Sequence, residues 1–193
     1  MNNFIGEYKV SNESVKALLN YWETNKSTAS PGKTCGIVNN SVKESMDLEL
    51  IPDNFPPSLV IYAQDLGHAM GQYKEKYLYC DEGKQAWLIR EPLIIQHYEP
   101  GWGYKVFHCE NSGGSVKNIQ RHLVFMTYLN TIPPEEGGGT EFFYQGSYNA
   151  VAGKTLIWPA AWTHTHKGII SLTQEKKIIT GWYSYNTFVY DKD

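Results

Sequence analysis

From Pro92 onward the chain changes its hydrophobic period, and that change constrains the fold more than any other feature of the sequence. Short apolar or aromatic runs at 93–98, 104–108, 123–129, 141–144, 155–158 and 178–185 are separated by clusters of Gly, Pro and Asn. Many short strands punctuated in this way belong to a sandwich or a barrel. Upstream the period is helical. Val15, Leu18, Leu19 and Trp22 fall at i, i+3, i+4 and i+7 after Ser11-Asn12, which predicts an amphipathic helix over 12–25 with its N-cap in that polar pair. A second helix is predicted from Pro57-Ser58 to about Tyr77, with Leu59, Tyr62, Ala63, Leu66, Met70 and Tyr73 on its core face. Residues 26–57 carry Pro31, Gly32, Gly36, Asn39-Asn40, Pro52, Pro56 and Pro57 and read as loop, with one short strand at 46–50. The expectation is one domain over 1–193, mainly β with flanking α. Helical support occupies about 1–90 and a barrel core about 91–186.

Composition narrows the class of protein. At 193 residues and 41% hydrophobic content the chain can bury one sizeable core. Its formal charge of −3, with Lys and Arg scattered singly, offers no basic stripe, so nucleic acid is a disfavoured partner. Cys35, Cys80 and Cys109 are an odd number without framework spacing, which suits a reducing compartment. The start lacks a basic n-region and an apolar h-region, and no later run could span a bilayer, so a cytoplasmic protein without a membrane partner is expected.

The chemistry-bearing residues are few. On a strand, side chains at i and i+2 share a face, so His108 and Glu110 can reach one metal ion while Cys109 points away. Taken alone, His-x-Glu on a strand is more often structural than a metal motif. His164 and His166 also share a face after the 155–158 run, and spacing does not choose between them. Two histidines with one carboxylate have the composition of the facial triad that holds Fe(II) and leaves its other positions open. Lys176, flanked by Glu175 and Lys177, reads by itself as a solvated strand lysine. His68, His97 and His122 sit at no ligand spacing and are taken as structural.

Several ordered motifs between about Pro92 and Tyr185 resemble the Fe(II)/2-oxoglutarate-dependent dioxygenases, in their prolyl 4-hydroxylase-like branch. Tyr98-x-x-Gly101-x-x-Tyr104 resembles the segment leading into the family's first metal motif. Arg121 followed by Tyr128-Leu129-Asn130 looks like its R-(x)6-Y-L-N strand, and Gly137 to Phe142 is similar to its G-G-x-T-x-F segment. Gly153 to Pro159 resembles a further strand, and His166 with Lys176 and Trp182 repeats the family's spacing from distal ligand to basic residue to tryptophan. That spacing selects His166 over His164. One departure stands out: the family usually carries His-x-Asp, and Glu110 is longer by a methylene.

The resemblance implies a double-stranded β-helix, the jelly-roll or cupin-like barrel. It implies Fe(II) on His108, Glu110 and His166, and 2-oxoglutarate contacted by Lys176, Thr140, Tyr98 and Trp182. Arg121 is then expected on the substrate or oxidant side. Dioxygen is the co-reactant, ascorbate an accessory reductant, and the products are succinate, carbon dioxide and a hydroxylated substrate. A peptidyl proline leads, ahead of a free amino acid or other small metabolite. Trp102, Tyr104, Trp162, Tyr183 and Tyr185 are candidates for aromatic walls against a proline-rich peptide, and loops 26–57 and 109–120 are candidate lids. Two other classes compete: a non-catalytic cupin-type metal-binding barrel, which has no use for Lys176 at this spacing, and a zinc hydrolase using the same three ligands.

Overall fold

The computed structural model describes residues 2–83 and 85–186. The first ninety residues supply two helices, α1 (Asn12–Asn25) and α2 (Val60–Lys76), and four short strands: β1 (Gly6–Lys9), β2 (Ser30–Pro31), β3 (Met46–Leu50) and β4 (Trp87–Ile89). The remainder gives β5 (Leu93–Tyr98), a short helix α3 (Val116–Ile119), β6 (Arg121–Tyr128), β7 (Thr140–Phe142), β8 (Gly146–Tyr148), β9 (Lys154–Pro159), β10 (His166–Gly168) and β11 (Lys176–Tyr185). Helix α1 begins where Ser11 accepts a hydrogen bond from the Ser14 amide. Asp65 of α2 accepts from the Ser11 amide and from both serine hydroxyls at 2.6–2.8 Å, so the cap also ties the two helices together.

Eight strands form one antiparallel sheet in the order β1-β9-β6-β11-β5-β3-β2, with β4 joined to the far end of β11. Three strands, β10-β7-β8, form a second sheet. This is the mainly β, two-sheet barrel with N-terminal helices that the sequence predicts.

Strands buried on both faces read as nearly continuous apolar runs, and β6 is the case in point, with every residue from Leu123 to Tyr128 buried and Thr127 alone polar among them, its hydroxyl bonded to those of Tyr62 and Thr155. Its side chains alternate between two cores. Leu123 and Phe125 join Leu18, Trp22, Tyr62, Leu66 and Tyr73 of the helices, whereas Val124, Met126 and Tyr128 join Phe142, Leu156, Trp158 and Ile178 inside the barrel. The helices therefore plaster one face of the main sheet, and the other face closes over the second sheet.

Two expectations are corrected. The first ninety residues give more than helical support, because β1 pairs with β9 and β3 with β5. Residues 104–108 form no strand; their only ladder pairing is in isolated bridges, Lys43 to Tyr104 and His108 to His166. Gly101, at φ +87°, turns the chain just before them. The segment then runs between two different partners, accepting a bond from the Gly168 amide on one side and donating the Lys105 amide to Val42 on the other. One isolated bridge on each side does not extend into a ladder.

Candidate metal and cosubstrate site

His108, Glu110 and His166 come together with their ligand atoms all within 4.8 Å of one another, the one such cluster among the described residues. The backbones are fixed first. The His108 and His166 amides and carbonyls exchange a pair of hydrogen bonds at 2.8–2.9 Å, and the Glu110 amide hangs from the Ala160 carbonyl just beyond β9. The side chains follow. Nδ1 of His108 donates to the Val106 carbonyl at 3.1 Å and Nδ1 of His166 to the His164 carbonyl at 2.9 Å. Both Nε2 atoms then lie toward Glu110 Oε1, at 3.4 and 3.8 Å. Tyr104 stacks flat on His108, ring centroids 3.6 Å apart at 11°. The donor set, two imidazoles and one carboxylate on one side of a point, fits a facial triad.

Protonation agrees with ligation. Burial drives the His166 imidazole down to about 4, helped by the neighbouring His108, so it is a neutral donor at physiological pH. Burial works to raise the Glu110 carboxyl, but the neighbouring His108, His166 and Arg121 overcome it and hold the group at about 2. His164 is excluded from the centre by its bonds: it lies in a 3-10 turn with Nε2 on the Asn3 carbonyl and Nδ1 on the Thr163 hydroxyl.

Lys176 opens β11 and points into the barrel with only 6% of its surface exposed. No carboxylate among the described residues pairs with it. Its ammonium sits over the Tyr98 ring, 4.9 Å from the centroid, and burial depresses it to about 8. Gly168 of β10 leaves the space, since a β-carbon there would lie 3.4 Å from Nζ. Thr140, on the same side of the barrel, shares a 2.7 Å hydrogen bond with Tyr128. Three glycines bring it there: a β-carbon on Gly137 or Gly139 would meet backbone at 2.4–2.5 Å, so β7 enters too close to its neighbours for any side chain.

Other expected residues lie differently. The Tyr98 phenol donates to Gln96 Oε1 at 2.6 Å. Trp182 lies under the Arg121 guanidinium, 3.7 Å from the ring centroid, and its buried indole N–H has no partner among the described residues. Arg121, expected to face substrate, contacts the carboxylate ligand Glu110 and a second buried acid, Glu91. Of the aromatic candidates, Tyr183 packs among the helix-side core and Tyr185 on His122, on the far face of the sheet. Loop 26–57 is pinned down through the Glu44 amide on Gly103 and a 2.7 Å ion pair to Lys105. Glu91 escaped sequence reasoning; its one signal is an acid set at the start of an apolar strand.

Residues 93–184 match the family model described as the 2OG-Fe(II) oxygenase superfamily. That segment, just under half of the chain, is similar to that superfamily, and Fe(II), 2-oxoglutarate and dioxygen are the reactants the similarity implies. The fold is that of prolyl 4-hydroxylases. A prolyl 4-hydroxylase from Pseudomonas putida superposes with a TM-score of 0.70 at 14% identity over 95% of this chain and 94% of that one. The viral collagen prolyl hydroxylase of Paramecium bursaria Chlorella virus-1, solved with 2OG, gives 0.69 at 15% over 95% and 97%. A Trichoplax adhaerens prolyl hydroxylase bound to a hypoxia inducible factor peptide gives 0.71 at 16% over 95% and 84%. No curated protein sequence matches the chain. No helix among the described residues is long and apolar enough to cross a membrane.

Proposed function

We propose that the chain is an Fe(II)- and 2-oxoglutarate-dependent dioxygenase that hydroxylates a peptidyl proline with release of succinate and carbon dioxide. One observation carries the reading: a lysine buried inside the barrel with no carboxylate partner among the described residues, in the same barrel as a two-histidine, one-carboxylate cluster. A buried cation left unpaired is costly, and a ligand bearing its own carboxylate removes that cost on binding. His108, Glu110 and His166 would hold the iron, and Lys176 would anchor the far carboxylate of 2-oxoglutarate with the Thr140 hydroxyl beside it. Iron and cosubstrate together supply the oxidising equivalent when bound. The chain's own part is to fix both imidazoles in one tautomer, keep Glu110 ionised and shield the lysine from water. The proline assignment rests on likeness to the prolyl hydroxylases and on Trp102 and Trp182 at the margin of the barrel core.

The test is an anaerobic titration of metal-free protein with Fe(II) and 2-oxoglutarate, following the visible charge-transfer band of a chelated keto acid. The band is expected in the wild type and in His164→Ala, and is expected to vanish in His166→Ala. Bound Fe(II) without a band sinks the proposal in favour of a metal-binding barrel or a zinc hydrolase. A gain of one oxygen in the mass of a proline-bearing peptide then identifies the substrate class, and a gain only in free amino acids moves it to small metabolites.

A further inference from the structure

We propose that Glu91 is a positioning residue for the metal centre, acting through Arg121 to hold Glu110 to a single metal-facing oxygen; the inference rests on the metal-centre reading above. Glu91 lies between β4 and β5 and is only 4% exposed. Its two carboxylate oxygens take the Arg121 Nε–H at 2.8 Å and an Nη2–H at 2.5 Å, a two-pronged pair. The remaining edge of the guanidinium donates from Nη1 to Glu110 Oε2 at 2.9 Å. Trp182 covers its face. Arg121 is thereby held on three sides, and the one oxygen of Glu110 it reaches is the one turned away from the imidazoles, since Oε1 is the atom nearest both Nε2 nitrogens.

The arrangement answers a problem that the length of Glu110 creates. A glutamate carries one more rotatable bond than the usual aspartate, so its carboxylate can swing until both oxygens meet the ion. Two-oxygen ligation would consume a position that a bidentate keto acid and dioxygen both need. Arg121 blocks that swing by occupying Oε2. Arginine alone would not suffice, because a long side chain has many rotamers to lose; Glu91 supplies the fixed end. It also supplies charge. By neutralising Arg121, Glu91 lets Glu110 keep its full negative charge for the metal. Lys117 touches Glu91 Oε2 at 3.3 Å from the solvent side, but it is exposed and weakly bound.

The test uses Co(II) as a spectroscopic probe on the metal-free full chain, so it does not depend on turnover or on 2-oxoglutarate. Glu91→Gln keeps the shape and removes the charge. It is expected to weaken Co(II) binding about 10- to 100-fold. It should also shift the intensity of the visible d–d bands, which report coordination number. Glu91→Asp, which keeps the charge but cannot hold both prongs, should fall between and carries the test should Glu91→Gln not fold. Lys117→Ala is expected to leave both readouts unchanged. Folded Glu91→Gln and Glu91→Asp proteins with wild-type affinity and spectrum would overturn the inference, whatever their melting temperatures. A wild-type chain that binds no Co(II) would overturn the metal centre itself, and this inference with it.

Discussion

The two faces of the main sheet are built from the same strands and hold opposite kinds of residue. Toward the helices β5, β6 and β11 present Leu93, Ile95, Leu123, Phe125, Ile179 and Tyr183, a dry apolar layer. Toward the barrel interior the same strands present Gln96, Tyr98, Lys176 and Trp182 among the apolar side chains. A strand's side-chain period of two makes this division of labour possible, and it also makes register decisive, because a slip of one residue would exchange the two faces. The helix side sets the register through close packing. The interior is then free to carry polar groups that lower stability and serve chemistry.

That contrast breaks most visibly on the helix side. Phe125→Ala removes a fully buried ring between Tyr183 and Gly181, and is expected to cost about 3–5 kcal/mol in denaturant unfolding. On the interior side the sign should reverse. Lys176→Met keeps the volume and deletes an unpaired buried charge, so unfolding of the ligand-free chain should occur at equal or higher denaturant concentration. The same variant should lose 2-oxoglutarate affinity by about 1.5–3 kcal/mol in a calorimetric titration. Loss of stability in Lys176→Met would mean that the lysine already has a partner when the ligand is absent. The last effect is a titration. Lys176 falls to about 8 in the folded chain and lies at about 10.4 unfolded, so between those values the unfolded state binds the extra proton. The destabilisation is therefore full below pH 8 and relieved as pH rises from 8 toward 10.4, while 2-oxoglutarate affinity should weaken over the same rise. A flat stability profile in that window, compared with Lys176→Met, would remove the buried cation from the account.

Periodicity made the long elements legible. The helix over 12–25 and the strands over 46–50 and 93–98 stand where the spacing put them. Strands β1, β8 and β10 were not legible, because Gly-Glu-Tyr-Lys, Gly-Ser-Tyr and His-Lys-Gly carry no apolar alternation. Such short edge segments become strands because a partner is waiting, a tertiary effect that no local pattern encodes. The same holds at the site. His108, Glu110 and Lys176 could be picked from motif and spacing, but choosing His166 over His164 on physical grounds required seeing both nitrogens of His164 already bonded. Glu91 could not be picked at all, since no spacing rule connects the residue before β5 with the one that opens β6.

The start of the chain pairs with β9, Gly6 facing Ile157, and the Asn3 carbonyl holds the ring of His164, whose own carbonyl orients His166. In kinetic terms this makes the centre a late product of folding. Contacts so distant in sequence form slowly, so pairing around β6 and β11 is expected before β1 reaches β9. Iron offered during refolding should therefore be captured only in a late phase, once Gly6–Lys9 has paired with β9.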